Sequence, residues 1–576
     1  MGGLPLFVPK KQVSAWVTET QPREARAWLE SLPLADDGEA AQDIYHALYA
    51  LNRLEVPHNT RLELMELYQG PVATVSSVLT SQFAGLGLPL PADMRKLAEF
   101  IRRLQMEMAI GYKVALHDVG SARRGWGRRN QPALTVERAM DYLGAVLLRS
   151  YQVYMPQPPS VWQEIHALYG YAEEQGILDE SVERYGEKRT KTTISLRYRR
   201  ILLLGLCNPY QLPQNECFHI DTFLEARAGK ASIKRSLKAS DPAGHFVIDL
   251  DADAPPIAVA QRSERGELSS QLRVLNTIEL ARVVHGFIKR LDDGAPVSVL
   301  GLGLDLKEAA CHEMLRRMIK FWGLTPKRQY SRTKTQGHLS ICKGINALHF
   351  FGSGRKPFTP PLVGDPEATP PEQKGVSQPK TAAAVSVPPT GRPTTADAPS
   401  KKRAPRIPRW LNQTAITAPE TYLVDRWQLR DESARGLLLS RDGDQAMHVR
   451  VGDLLGVQGP SDGGVWRVGV IRWVKSPEAK RVEMGIERLA PEITPVAVRP
   501  VPTEGSGLRY TQALLLPAMP VLQRPETLLV GRGVYEPDRS LYIVTGDAPP
   551  RVVRPLKLLE RSASFDQIVF TEVAQP

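Results

Sequence analysis

A chain of 576 residues, 42% hydrophobic and 24% charged, has the composition of soluble globular protein and the length for several domains. Its net charge of +12 favours anionic partners, and no apolar run approaches the ~18 residues that cross a bilayer, so membrane insertion is not expected. The start, Met1-Gly-Gly-Leu-Pro-Leu-Phe-Val-Pro-Lys-Lys11, lacks the basic-then-apolar pattern of a secretory leader. Cys207, Cys217, Cys311 and Cys342 form no Cys-x-x-Cys pair, and no second ligand pair joins His219 or His312 in a zinc set. Reduced, buried thiols in a cytoplasmic protein without a metal are the expectation.

Residues 1–210 read as helix after helix, with apolar residues at three- and four-residue spacing over 24–32, 38–54, 60–69, 72–83, 92–117, 135–154, 160–175 and 192–206. Pro, Gly, Asn and Asp mark the breaks, and no fixed period runs through the region. An α-solenoid-like or irregular bundle is predicted. Residues 211–352 look mixed α/β, with strands at 245–250 and 298–302 and amphipathic helices at 275–291 and 307–322. Residues 353–402 are rich in Pro, Thr and Ala and nearly free of aromatics, a composition that buries too little apolar surface to order itself. The pattern predicts a disordered linker dividing the protein into two halves. From 403 to 495 short apolar runs alternate with Gly, Asp and Pro, as in a small antiparallel β-barrel, and 505–576 repeats the style as a second barrel or as strands packed on the first. The fold class is therefore multidomain α+β.

Several motif-like stretches carry no chemistry. Asp249-Leu-Asp251-Ala-Asp253 begins like a calcium loop, but Ala254 and Ala260 stand where Gly and Glu are required. Gly301-Leu-Gly303 has Leu306 where a dinucleotide turn needs its third glycine. No nucleophile–base set stands at recognised spacing, so an enzyme is not expected. The basic stretches Arg123–Arg129, Arg197–Arg200 and Lys401–Arg403 are either solvated faces or nucleic-acid contacts.

One turn stands apart. Asp431-Glu-Ser433-Ala-Arg-Gly436 lies between apolar runs and offers a carboxylate, a hydroxyl and bare backbone to one small polar ligand. Val451-Gly-Asp453 and the pair Trp466–Val474 and Val482–Glu487 follow it. This set resembles the Asp/Asn-x-Ser-x-x-Gly signature and barrel of PilZ domains over residues 403–495. The resemblance implies binding of the second messenger cyclic di-GMP, with Asp431 accepting guanine N–H groups, Ser433 donating to a phosphate or base, and Gly436 allowing close approach and unusual dihedrals. It also implies an Arg-x-x-x-Arg clamp before the first strand. Here that region reads Lys401-Lys-Arg-Ala-Pro-Arg406-Ile-Pro-Arg409, so Arg406 and Arg409 are one residue too close, and Lys402 with Arg406 gives the spacing without the first guanidinium fork. Arg430 and Arg435, beside the turn, offer partial compensation. The expected protein is a cyclic di-GMP effector that passes binding to a protein partner through its helical half. The alternatives are a PilZ-like scaffold that binds protein without nucleotide, and a basic nucleic-acid-binding protein.

Overall fold

The computed structural model describes residues 4–12, 16–34, 37–121, 131–184, 190–235, 243–261, 270–301, 306–323, 333–361, 422–443, 447–460, 462–501, 509–520 and 523–573. The Arg123–Arg129 loop and residues 353–402 beyond 361 lie outside them.

The first region is helical, as its periodicity predicts: α1 (Pro22–Ser31), α2 (Asp37–Arg53), α3 (His58–Ser81), α4 (Ala92–Ser121), α5 (Gln131–Gln152) and α6 (Val161–Glu174). A two-residue hairpin of β1 (Val182–Glu183) and β2 (Lys191–Thr192) precedes α7 (Ile194–Leu206) and α8 (Glu216–Arg227). One element differs from expectation. The break foreseen between 60–69 and 72–83 is absent, and α3 runs on through Pro71. Proline removes one intrahelical hydrogen bond. Burial of Tyr68 and Gln69 before it and Val72 and Val75 after it keeps one axis.

A four-stranded antiparallel sheet follows in the order β3 (Ser232–Lys234), β6 (Leu272–Asn276), β4 (His245–Asp249) and β5 (Ile257–Ala258). Helices α9 (Ile278–Asp292) and α10 (Glu308–Gly323) come next. The strand expected at 298–302 is instead a 3₁₀ turn over Val297–Leu300, ended by Gly301 at φ 60°. Its apolar run is too short, and too exposed at Val299, to require a sheet.

Two closed six-stranded antiparallel barrels complete the chain. The first contains β7 (Thr333–Lys343), β8 (Asp425–Glu432), β9 (Gly436–Asp442), β10 (Leu454–Gln458), β11 (Arg467–Glu478) and β12 (Arg481–Ala490). The barrel expected over 403–495 thus draws β7 from before the Pro-rich segment, so that segment is an insertion within the barrel and not a divider between halves. The reason is closure: β7 pairs with both β8 and β10, and without it the sheet would end in two open edges. The second barrel contains β13 (Thr494–Pro500), β14 (Thr511–Leu516), β15 (Thr527–Gly531), β16 (Leu541–Val544), β17 (Arg551–Arg561) and β18 (Phe565–Glu572), and it begins earlier than residue 505.

Helix α11 (Ile345–Gly352) joins the two barrels. Ile345 and Leu348 share one buried cluster with Leu454 and Val468 of the first barrel and Leu514 and Phe565 of the second. Gly456 makes this approach possible, because a methyl there would sit 2.5 Å from Cys342 Sγ and 2.8 Å from Leu348. The helical region also meets the first barrel. The Ser476 amide donates to the Tyr154 carbonyl at 2.9 Å, and Arg95 Nη1 donates to Ser476 Oγ at 2.7 Å.

Candidate ligand-binding site

The Asp431–Gly436 motif is the hairpin between β8 and β9. Its position follows from the strand register. Gln428 faces Ser440 and Leu429 faces Leu439, but a bulge then places Asp431 opposite Leu438 and Glu432 opposite Leu437. Directly paired residues share a face. Leu439 and Leu437 are buried in the barrel, so the bulge turns Asp431 to the outer face and leaves Glu432 at the barrel mouth. The residue it displaces is Arg430, whose Nε donates to the buried Ser440 Oγ at 2.7 Å.

The loop between the strands is three residues, Ser433–Arg435. Ser433 closes it: its amide donates to the Gly436 carbonyl at 2.8 Å, and its Oγ accepts from the Gly436 amide at 3.1 Å. Gly436 eases a close approach rather than supplying dihedral freedom, contrary to part of the expectation. It does not have a positive φ, whereas a Cβ there would lie 3.2 Å from the Ile486 carbonyl of β12.

Two arginines from different elements hold the hairpin. Arg488, on β12, donates to the Ser433 carbonyl at 3.1 Å and pairs with Glu432. Arg435 pairs with Glu487. Glu487 also accepts from Arg472 Nε at 2.7 Å, and Arg472 makes a forked pair with Glu560 of the second barrel. Burial alone would raise the Glu487 carboxyl; Arg472 and Arg435 overcome it and hold the group below the usual range. An ion-pair chain therefore runs from the motif turn to the neighbouring barrel. Asp453 is held differently. Burial raises its carboxyl above the ordinary value despite Lys343 nearby, while its Oδ2 accepts the Arg450 amide at 3.0 Å.

Beside the hairpin, the barrel mouth holds a cavity of about 160 Å³ whose polar lining includes Glu432, Asp462, Arg467 and Arg488. That is below the ~300 Å³ that encloses a drug-sized ligand.

The structure thus brings Asp431, Ser433, Gly436, Arg430 and Arg435 together on one hairpin. Lys402, Arg406 and Arg409 lie outside the described residues. Sequence reasoning missed Arg488, Glu487 and Arg472. The signal was present: Glu487-Arg488 ends the apolar alternation of 482–486 with two charges at one rim.

A six-stranded barrel carrying this hairpin between adjacent strands defines a PilZ domain. Three consecutive models of one family match the chain: "Cyclic-di-GMP receptor FimW, N-terminal domain" over 23–239, its "middle PilZ domain" over 245–495, and the "FimW C-terminal beta-barrel domain" over 496–573. The chain belongs to this family of PilZ-domain proteins. It is 29% identical over 524 residues to the cyclic-di-GMP receptor FimW of Pseudomonas aeruginosa, covering 89% of this chain and 84% of that protein. No solved structure matches it. The family boundaries agree with the strand topology, since the middle domain begins well before β7 and ends at the start of the second barrel.

Proposed function

We propose that the chain is a cyclic di-GMP receptor that binds the nucleotide at the Asp431–Gly436 hairpin and passes that event to a protein partner through its helical region. The observation that carries the reading is the hairpin itself. The β8 bulge turns Asp431 outward next to the Ser433 and Gly436 turn, with Arg430, Arg435 and Arg488 around it. The same motif lies in a chain similar over most of its length to a named cyclic-di-GMP receptor. A carboxylate accepts the adjacent N–H donors of a guanine edge, and guanidinium forks suit phosphates and base faces. Lys402, Arg406 and Arg409 supply the clamp. The role is binding rather than catalysis, in the cytoplasm, where the four buried thiols remain reduced. The contacts of Ser476 with Tyr154 and Arg95 give the barrel a route to the helices. Ligand shifts this arrangement only by its differential affinity for two states.

Calorimetric titration with cyclic di-GMP tests the site. Wild type is expected to bind, and Asp431→Ala with Ser433→Ala to lose binding. Retention in the double variant sinks the site assignment. Absence of binding by wild type sinks the receptor reading in favour of a scaffold that binds protein alone.

A further inference from the structure

The helical region contains a cleft of about 640 Å³ between α3 and α5, lined by none of the residues of the PilZ hairpin. Three buried side chains in its walls have a polar atom without a hydrogen-bond partner: the Gln69 amide nitrogen, Ser76 Oγ and the Gln105 amide oxygen. These residues are only 4%, 5% and 5% exposed. Arg149 Nε, on the opposite wall, is also buried without a partner. Buried polar groups are almost always satisfied, so four orphans around one cleft mark a place shaped for something polar.

Charge states what that is. Arg138, Arg197 and Arg200, which also line the cleft, each pair with a carboxylate: Glu137 for the first two and Asp221 for the third. Arg149 forms no ion pair among the described residues, and its only hydrogen bond there is to the neutral Gln152. Burial pulls the Arg149 guanidinium down from its ordinary value, and the nearby Cys217 and Asp221 oppose it without overcoming it. A desolvated guanidinium without a counter-charge is costly, and an incoming anion removes that cost. The cleft volume falls within the ~300–1,000 Å³ typical of small-molecule sites.

We propose that this cleft is a second ligand site. It takes a small organic anion whose phosphate or carboxylate pairs with Arg149 and whose polar body bonds Gln69, Ser76 and Gln105. The site is independent of the barrel hairpin, so it stands or falls without the cyclic di-GMP reading.

Thermal unfolding and calorimetry with adenosine monophosphate, citrate and orthophosphate at millimolar concentration test it. At least one of them is expected to raise the melting temperature of wild type and to give saturable heat. A response to adenosine monophosphate or orthophosphate assigns a phosphate ligand; a response to citrate alone assigns a carboxylate. Arg149→Met is expected to weaken binding by about tenfold or more, and to melt higher than wild type without ligand, because it removes the unpaired charge. Ser76→Ala deletes one unpartnered hydroxyl, leaves the fold intact, and is expected to weaken binding by about fivefold. No response of wild type to any of the three anions, or the same response in Arg149→Met, overturns the proposal.

Discussion

At the scale of single residues, Ser433 is already committed to the turn that the proposed ligand would meet. Its Oγ already accepts the Gly436 amide, so Ser433→Ala is expected to loosen the hairpin by about 1 kcal/mol, apart from any effect on the proposed ligand contact. A folding check must therefore accompany the binding assay of the double variant. His166 carries a separate prediction. It is fully buried in the helical core, with Nδ1 2.7 Å from Tyr198 Oη and Nε2 3.0 Å from the Ala254 carbonyl. A carbonyl only accepts, so Nε2 carries the proton and Nδ1 accepts from tyrosine. Burial lowers the imidazole below its ordinary value. The unfolded chain binds a proton near pH 6.5 and the folded chain only at lower pH. Stability from this residue is complete above about pH 6.5 and declines as pH falls below it. Urea denaturation between pH 7.5 and 5, values around that ~6.5 midpoint, is expected to show the decline. Replacing His166 by Asn is expected to flatten it, and an unchanged slope in the variant assigns the titration to another group.

At the scale of elements, Asp253 shows what sequence alone conceals. The run Asp249-x-Asp251-x-Asp253 reads as a failed calcium loop. In the structure Asp253 instead caps α6, accepting from the amides of Ser160 at 2.7 Å, Trp162 at 3.0 Å and Gln163 at 3.3 Å. Ser160, at φ 65°, cannot cap this helix with its own side chain, so the carboxylate arrives from a distant segment. An anion at a helix N-terminus satisfies unpaired amides and the helix dipole together. Asp253→Ala is expected to cost about 1–2 kcal/mol in urea unfolding and Asp253→Asn less. Equal stability in Asp253→Ala would show that water caps α6 as well. The helices were legible because their apolar spacing is local. So was the hairpin motif, whose residues are consecutive. The cap, the α3 continuation through Pro71 and the Arg488 clamp were not, because each depends on a partner that only tertiary packing supplies.

At the scale of the whole molecule, the element least visible in sequence decides the architecture. Thr333–Lys343 is mostly polar, with only Ile341 and Cys342 fully buried, and it precedes a Pro-rich stretch that reads as a domain boundary. Yet β7 is hydrogen-bonded to β8 on one side and β10 on the other, and α11 directly after it seals the junction of the two barrels. Separating residues up to 361 from residues after 421 would open the first barrel at two ladders. It would also expose Ile341, Ile345 and Leu348, each worth roughly 1.5–3 kcal/mol when fully buried. The contacts of Arg95 and Tyr154 with Ser476 would be lost too. A protease site introduced between 362 and 421 and cleaved in the folded protein is therefore expected to leave both fragments co-eluting on size exclusion without denaturant. Two independent halves, as the sequence pattern alone suggests, would instead elute apart. Co-elution also bears on the proposed signalling, because β7 is covalently continuous with the preceding helical region and hydrogen-bonded to β8, the strand that leads into the hairpin.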